Sequence, residues 1–371
     1  MRLPCFFRGF ILCSLIFFSF CLSGQEESSK AVEILQSNRV LVRDSAGVQL
    51  RIFIGNVIFR HEEALLYCDS AVLNKAAQAL DAFGNVVIEE GDSIRLEGDT
   101  LNYRSTERKA EIWGNVYLTD KRVDMYTNRL FYETQRRYAY YLNGARIIDS
   151  TTVIESKRGY FDARTDDVTF KDSVVILDPD YNVYSDTLWH NISSNINFFL
   201  GPTWIIEPSN DRIYCENGWF DQTSDLASFG ENTIVYSGNQ LLYSDSLYYR
   251  IDQGYGQSFK NMRWYDTENN LKITGDYAEY LQDEDYLLST SDPTLEYRMQ
   301  DDTLYLGADT LNSFTPVGDT QRAFSAVGEV RIFKEDFQGI CDSLYYSLRD
   351  STFRMYENPL IWNAENQLKA D

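Results

Sequence analysis

The sequence predicts an all-β fold, built as an array of bent antiparallel strands in repeats of about 30 residues. Three observations predict it: the composition, the repetition and the alternation of side chains. The chain of 371 residues has 26 tyrosines and 22 phenylalanines but only 7 prolines, which is a composition typical of strands. Its apolar fraction of 44% is high enough for a folded core. This length fits two domains or one repetitive array.

Two short elements recur along the chain. One is an aspartate followed by Ser or Thr and then by Leu or Ala, and the other is Gly-Asn-Val. The clearest copies begin at Asp69, Asp99, Asp186, Asp245, Asp309 and Asp342 for the first element, and at Gly55, Gly84 and Gly114 for the second. Successive copies lie 29 to 33 residues apart, or a small multiple of that spacing. A fixed period of this kind predicts stacked units that bury their apolar faces against one another.

Each repeat reads as two strands that bend near the middle. Ile94 and Leu96 alternate with polar residues, as Leu101 and Tyr103 do, but the alternation slips once at Gly98. Such a slip needs a bulge or a bend, so we expect each strand to cross from one sheet to a facing sheet. Hairpin turns are predicted at Gly91-Asp92, at 105–108 and at Asp120-Lys121.

The residue before the recurring acid is always small, which predicts a tight corner. These residues are Cys68, Gly98, Thr127, Ser185, Cys215, Ser244, Gly275, Ala308 and Cys341. At such a corner the carboxylate is expected to accept hydrogen bonds from backbone amides. A ladder of calcium sites is the less favoured alternative, because each repeat supplies a single well-placed carboxylate.

Residues 1–24 have the pattern of a signal peptide. Arg2 and Arg8 precede an uncharged apolar run of 13 residues, which is too short to span a bilayer. Cleavage is expected near Gly24, and acylation at Cys21 is the alternative. The mature chain is expected to be exported, with one repeat block over 25–190, an irregular junction over 191–212 and a second block over 213–371. The last residues resemble the start of another repeat, so the given chain is expected to end within a repeat or with an unpaired last strand.

The composition limits the functions to consider. The net charge of −22 argues against nucleic acid, which needs a basic face. Cys68, Cys215 and Cys341 share one phase of the repeat and are predicted to be small buried packing residues. His61 is predicted to lie in an exposed turn, and His190 to fill a slot that other repeats give to tyrosine.

No catalytic, metal-binding or cofactor-binding motif is evident, so the chain is predicted not to be an enzyme and to need no cofactor or metal. The carboxylate pairs Asp166-Asp167, Asp283-Glu284-Asp285 and Asp301-Asp302 would suit a polysaccharide-acting enzyme. Their position in predicted turns favours solvated acids. Regularly spaced tyrosines favour a core ladder over sugar stacking; they are Tyr103, Tyr132, Tyr249, Tyr280 and Tyr346.

Gly-Asn-Val elements that alternate with Asp-Ser/Thr-Leu-x-Tyr elements, behind a signal peptide, resemble the OstA/LptA family of lipopolysaccharide-transport proteins, in particular the long OstA-like members of the Bacteroidota type. The resemblance covers roughly residues 31–371 and is strongest from Gly55 to Tyr132. It implies an elongated V-shaped β-jellyroll whose apolar interior takes the acyl chains of lipid A. It also implies a periplasmic protein that helps to bridge the two membranes, and association with the outer membrane is a further expectation. This chain is longer than the short family members and strongly acidic, so a cationic match for lipid A phosphates is not evident.

The resemblance implies lipopolysaccharide as ligand. The implied partners are other transport components with the same jellyroll, LptC-like and LptD-like, joined by pairing of strand edges, and self-association is a further expectation. The expected lining of the groove is Val57, Phe59, Val86, Ile88, Leu101, Tyr103, Val116, Leu118, Leu130 and Tyr132. The alternative is a structural or adhesive repeat protein in which the same residues form a closed core without a lipid ligand.

Overall fold

The computed structural model describes residues 32–45, 48–61, 63–91, 94–299, 302–363 and 365–370. These residues form 29 strands, and neighbouring strands pair antiparallel. Within the same ranges, no helix is long and apolar enough to cross a membrane. The all-β prediction is therefore confirmed, whereas the predicted signal peptide lies outside the described residues.

The described chain divides into two compact units between Asn197 and Phe198. The first unit contains the following strands: β1 Glu33–Gln36, β2 Arg39–Ser45, β3 Val48–His61, β4 Ala64–Asn74, β5 Ala79–Glu90, β6 Ile94–Arg104, β7 Lys109–Thr119, β8 Val123–Glu133, β9 Tyr138–Tyr141, β10 Ala145–Asp149, β11 Thr152–Ser156, β12 Arg158–Asp162, β13 Asp167–Leu177 and β14 Asn182–Asn191. Strand β15, Ile196–Ile206, contains the boundary.

The second unit continues with strands of the same kind. They are β16 Arg212–Asp221, β17 Leu226–Ser237, β18 Gln240–Arg250, β19 Tyr255–Asp266, β20 Leu271–Leu281, β21 Tyr286–Thr290, β22 Thr294–Arg298, β23 Thr303–Gly307, β24 Thr310–Phe314, β25 Ala323–Lys334, β26 Phe337–Ser347, β27 Thr352–Tyr356, β28 Leu360–Trp362 and β29 Gln367–Lys369.

Most of the long strands bend at a bulge near the middle. In β3, the register against β4 shifts between Ile54 and Val57, so that Gly55 and Asn56 together face Asp69. Both residues have left-handed backbones, with φ of 79° and 48°. The same shift follows Phe83 in β5 and Trp113 in β7. The predicted bend at the Gly-Asn element is therefore confirmed.

The recurring acid and the Gly-Asn element of the next strand form each corner together. Asn115 donates a hydrogen bond from Nδ2 to Asp99 Oδ2 at 2.9 Å. A Cβ atom on Gly114 would lie 2.3 Å from the same oxygen, and Gly114 also has φ of 79°. Only glycine combines that backbone with that approach. The carboxylate thus fixes the corner and excludes a side chain at Gly114.

The expected backbone donor is wrong for three of the six clear copies of the acid. Asp69, Asp99 and Asp245 accept from asparagine side chains 16 residues further along the chain, at 2.7–2.9 Å. A backbone amide is the donor at a weaker copy, where Asn261 N–H donates to Asp276 at 3.2 Å. The left-handed asparagine places its own amide group over the corner, so the side chain competes successfully for the acid.

Each bend divides the sheet into two halves, which we call leg A and leg B. Leg B contains residues 48–54 of β3 and 70–74 of β4, and leg A contains residues 57–61 and 64–68 of the same strands. In each unit, leg A is likewise made of the segments that precede a recurring acid, such as 94–98 of β6 and 240–244 of β18, together with the segments that pair with them, and leg B is the other half. The inner faces of the legs touch: the rings of Phe53 in leg B and Phe59 in leg A lie edge to face, 5.3 Å apart. The apolar core of each unit lies between its two legs.

The irregular conformation predicted for 191–212 is not what residues 196–206 adopt, since they form strand β15. Phe199, Thr203 and Ile205 are buried at odd-numbered positions of this strand, and Gly201 between them has φ of 109°. Pro202 follows directly. Proline is tolerated at such a bend, where the ladder is interrupted.

Candidate functional site

The ten residues predicted to line a groove all lie on the inner face of the first unit. Val57, Val86 and Val116 directly follow the bend in leg A, and Phe59, Ile88 and Leu118 come two residues later. Leu101 and Leu130 face them from leg B, with Tyr103 and Tyr132 further out towards the leg tips. The structure therefore brings the ten together in layers, whereas their role in lipid binding stays a prediction.

Burial of these side chains falls from the bend towards the open side of the V. Val57, Val86 and Val116 are at most 1% exposed, and Leu118 is 9% exposed. Ile88, Tyr103 and Tyr132 are only half-buried. The inner face is thus uniformly apolar next to the bend, and it becomes aromatic and partly accessible where the leg tips approach each other.

The legs of the first unit are packed closely. A cavity of about 20 Å³ lies between them, which is room for about one water molecule. Met125 and Ile147 line it from leg A, and Leu130 and Phe161 line it from leg B. Of the ten predicted groove residues, only Leu130 contacts this cavity. An acyl chain therefore needs the legs to separate.

We call the line along which the leg tips meet the mouth. In the first unit, His61 at the tip of leg A lies against Tyr103 at the tip of leg B, with ring centroids 6.4 Å apart. Burial raises the pKa of Tyr132 to about 12; the nearby charge of Arg137 acts to lower this pKa, and that of Glu90 acts to raise it. Glu90 ends β5 in leg A, so this tyrosine too faces the opposite tip. Aromatic and partly polar side chains close this mouth.

The mouth of the second unit is closed by a buried ion cluster. Arg322, only 5% exposed, donates to Asp285 Oδ1 at 2.5 Å and to Ser313 Oγ at 3.1 Å, both in leg B. Its Nε lies 3.6 Å from Asp266 Oδ2, at the tip of leg A. Its guanidinium also lies 5.1 Å from the ring centroid of Trp264. Because both Arg322 and Asp266 are withdrawn from water, the cluster joins the legs through charge.

The sequence does not predict this ion cluster. The sequence predicts Asp285 to be a solvated turn acid, and that prediction is wrong, since Asp285 binds Arg322 and also accepts from Thr315 at 3.0 Å. Burial acts to raise the pKa of Asp285, but the Arg322 charge and the hydrogen bond from Thr315 are among the effects that together hold that pKa below its ordinary value. One signal could have indicated this cluster. The segment 315–322 between β24 and β25 is longer than the four-residue turns that precede β20 and β21.

Three further predictions concern the cysteines and the two histidines. Cys68, Cys215 and Cys341 are free and buried, as predicted, and burial raises the pKa of the Cys215 thiol to about 12. His190 is fully buried and bonds Asn197 Oδ1 through Nδ1 at 3.0 Å, which confirms the interior slot. His61 is half-buried at the end of β3, so the prediction of an exposed turn is wrong for it.

The predicted tyrosine ladder lies on the inner faces. Tyr249, Tyr280 and Tyr346 are 3–7% exposed, and Tyr103 and Tyr132 are the half-buried pair at the first mouth. The ladder prediction is confirmed for these five positions. Their packing is that of a core; the ring of Tyr346, for example, stacks on that of Phe353 with centroids 4.2 Å apart.

Comparison with known proteins gives one family match. Residues 29–186 match the family described as OstA-like protein, which confirms the resemblance over that segment. A search of the curated proteins finds no match. Among solved structures, one similar chain is LptH, the LptA homologous periplasmic component of the conserved lipopolysaccharide transport device from Pseudomonas aeruginosa. It is 15% identical, the alignment covers 32% of this chain and 82% of that one, and the TM-score is 0.29.

Proposed function

We propose, from the OstA-like segment that residues 29–186 form, that this chain is a periplasmic lipopolysaccharide-transport protein. Its apolar interior would shield the acyl chains of lipid A between the two legs, while the saccharide stays in water. Burial of each CH₂ group contributes about 0.8 kcal/mol, so several acyl chains supply a large driving force for binding.

One observation carries the proposal: the inner face is apolar on successive strands and in both legs. Val57, Val86 and Val116 repeat one position on β3, β5 and β7. Leu101 and Leu130 repeat the facing position on β6 and β8. A ligand of the right chemistry for this face is a hydrocarbon chain that runs across the strands.

Binding requires the mouth to open, because the cavity between the legs of the first unit is much smaller than an acyl chain. The contact of His61 with Tyr103 is a half-buried aromatic contact, and contacts of this type contribute about 1 kcal/mol. Acyl chains would therefore displace the aromatic side chains of the first mouth and take their place against the inner face.

Assembly with other components is proposed through a strand edge of the first unit. Strand β2 pairs with β3 and with no other strand in the described part of the chain. Val40 and Val42 on it are 50% and 61% exposed. An open edge with exposed valines can add a strand from another chain. LptC-like or LptD-like jellyroll proteins, or a second copy, are the proposed partners.

Photo-crosslinking in a lipopolysaccharide-making host tests the lipid site. A photoreactive amino acid at Leu118 faces the interior, whereas one at Tyr117 in the same strand faces outward. We expect lipopolysaccharide adducts at position 118 and a several-fold lower yield at position 117. Equal yields at the two positions, or no adduct at 118 in a folded protein, would overturn the proposal.

A closed-core structural protein is the second candidate, and the small size of the cavity favours it. It predicts that the purified mature chain takes up no apolar dye at concentrations where lipid-transport proteins do. Dye uptake that lipopolysaccharide displaces would exclude the closed core, and absence of uptake together with absence of adducts would establish it.

A further inference from the structure

The outer face of leg A in the second unit carries a row of aromatic and arginine side chains, which we call the outer Arg–Tyr row. Its members are Trp204, Arg212, Tyr236, Tyr243, Arg263 and Tyr265. They alternate along their strands with buried inner residues such as Ile213, Val235 and Leu242. Their side chains therefore point away from the interior and lie on the opposite side of the sheet.

Strand register aligns these side chains across neighbouring strands. Arg212 on β16 is the cross-strand partner of Tyr236 on β17, and Tyr243 on β18 is the partner of Arg263 on β19. The row begins at Trp204 on β15 and reaches Tyr265 on β19. With strands about 4.8 Å apart, it extends about 20 Å across the sheet.

The two arginines of the row stack on rings instead of pairing with acids. The guanidinium of Arg212 lies 4.4 Å from the ring centroid of Tyr236 and 5.7 Å from that of Trp204. The guanidinium of Arg263 lies 5.4 Å from the ring centroid of Tyr243. Neither arginine forms an ion pair within the part of the chain that the structure describes. In Arg212, the Nε atom is buried and has no hydrogen-bond acceptor among the described residues.

The same face of leg A in the first unit shows the ordinary arrangement. There Arg95 pairs with Glu97 at 2.6 Å and with Glu89, and Arg146 pairs with Glu155 at 3.3 Å. Other arginines of the described chain, such as Arg354 over Tyr345, likewise have no ion pair, so the absence of an acid does not by itself indicate a ligand. Arg212 on β16 and Arg263 on β19 differ from them because they lie in one row with four aromatic side chains, which leaves both guanidiniums available to acceptors from another molecule.

We infer that the outer Arg–Tyr row binds an anionic oligosaccharide that carries phosphate groups. A guanidinium fixed on a ring presents its N–H groups in one plane, which suits bidentate hydrogen bonding to phosphate. Tyrosine and tryptophan supply apolar ring edges and polar atoms for sugar rings. The length of the row suits several linked sugars better than a single phosphate ion.

Other anionic ligands fit less well. A peptide that adds a strand needs an open sheet edge, and the row lies on a face. Acidic motifs are recognised by clusters of arginines, whereas the row has two arginines, on β16 and β19. A membrane surface is normally recognised by clusters of four to eight basic residues. Here the next basic side chain along the face, Lys272, is paired with Glu296 at 2.6 Å.

The site does not depend on the apolar interior, because it lies on the other side of leg A. A phosphorylated oligosaccharide could arrive free or as the saccharide part of a lipid. Calorimetry of the mature chain with deacylated, phosphorylated core oligosaccharide, with the same material after dephosphorylation, and with polyglutamate separates these classes of ligand.

We expect binding of the phosphorylated oligosaccharide, with dephosphorylation weakening it by at least about tenfold. Arg212→Gln and Arg263→Gln are each expected to weaken it by about tenfold, while Arg95→Gln in the first unit leaves it unchanged. Thermal unfolding of each variant verifies that the fold is retained. No binding, equal binding of the dephosphorylated sample or of polyglutamate, or an unchanged affinity in the double variant would each overturn the inference.

Crosslinking with intact lipopolysaccharide distinguishes binding at the outer Arg–Tyr row from binding in the apolar interior. If the double arginine variant loses the oligosaccharide but retains adducts at position 118, then the two sites are independent. If adducts at 118 are absent while the oligosaccharide still binds, the lipid proposal fails and the outer Arg–Tyr row stands.

Discussion

The two units close their mouths by different chemistry. In the first unit, half-buried rings such as His61 and Tyr103 meet across the mouth. In the second, Arg322 connects Asp285 of leg B with Asp266 of leg A, and both ends of the Arg322–Asp266 pair are about 5% exposed. The contrast exists although both units are built from the same bent strands.

The difference teaches that equal folds can resist opening to very different degrees. A half-buried ring contact is weak, and its partners can be rehydrated without a large penalty. A buried guanidinium that loses its carboxylates is costly, because the remaining charge stays out of water. We therefore expect the first unit to open more readily than the second.

Removal of the Arg322 charge should give the largest effect. Arg322→Met leaves Asp266 and Asp285 without their counter-charge, so we expect a loss of about 3–5 kcal/mol in the free energy of unfolding. Chemical denaturation followed by tryptophan fluorescence measures it.

Arg331 is the matched control for Arg322. It pairs with Glu329 on the surface, both side chains being 73% exposed, so Arg331→Met should change stability by less than about 0.5 kcal/mol. Adding Asp266→Asn and Asp285→Asn to Arg322→Met should recover part of the loss. A loss below about 1 kcal/mol for Arg322→Met alone would mean that the ion cluster does not close the mouth.

Acid should weaken the two units over different pH ranges. Burial lowers the pKa of His190 from 6.5 to about 4. The unfolded chain therefore takes up a proton that the folded chain refuses, and stability falls as the pH drops from 6.5 towards 4. The expected loss is about 3 kcal/mol. Denaturation at a series of pH values measures it.

Asp285 in the second unit also loses its contribution on acidification, but over a lower pH range than His190 does. Its pKa is lowered in the folded state, so its contribution to stability is complete above the ordinary carboxyl range and is lost only as the pH falls through the lowered value.

The His190→Gln variant should remove most of the pH dependence of stability between pH 6.5 and 4. An unchanged profile in that variant would show that His190 is not the titrating group.

The smallest expected effect is at the first mouth. Tyr103→Leu removes the ring that lies against His61 but keeps an apolar side chain, so we expect a loss of about 1 kcal/mol. Denaturation curves should show it next to Tyr184→Leu, a change at a 42% exposed position that should cost less than about 0.5 kcal/mol. A loss at Tyr103 as large as that at Arg322 would remove the contrast between the mouths.

Much of the fold could be predicted from sequence, because its signals are local and repeat. The Gly-Asn element marks the bend, since two successive left-handed residues and the nearby acid need just those side chains. Alternation on each side of the bend then assigns inner and outer faces, and it placed Val57, Val116 and the other groove residues on the inner face. The buried cysteines followed from the same phase.

The partners across the mouth could not be predicted in this way. Arg322 and Asp266 are 56 residues apart in sequence, and neither belongs to the repeated elements. Whether they meet depends on how closely the legs approach, which is a property of the packed core. The asparagine side chains that bind the corner acids were missed for a related reason, since a side chain and a backbone amide compete there on geometry.

By itself, the sequence determined the strands, their period, the position of each bend and the face of each side chain, because these follow from residue order over a few neighbours. Only the tertiary structure decided that the legs pack closely and that a buried arginine closes one mouth. It also decided that the guanidiniums of Arg212 and Arg263 stack on tyrosine rings and form no ion pair with an acid of the described chain. Those features arise where strands distant in sequence are brought together, and there packing and desolvation select the contacts.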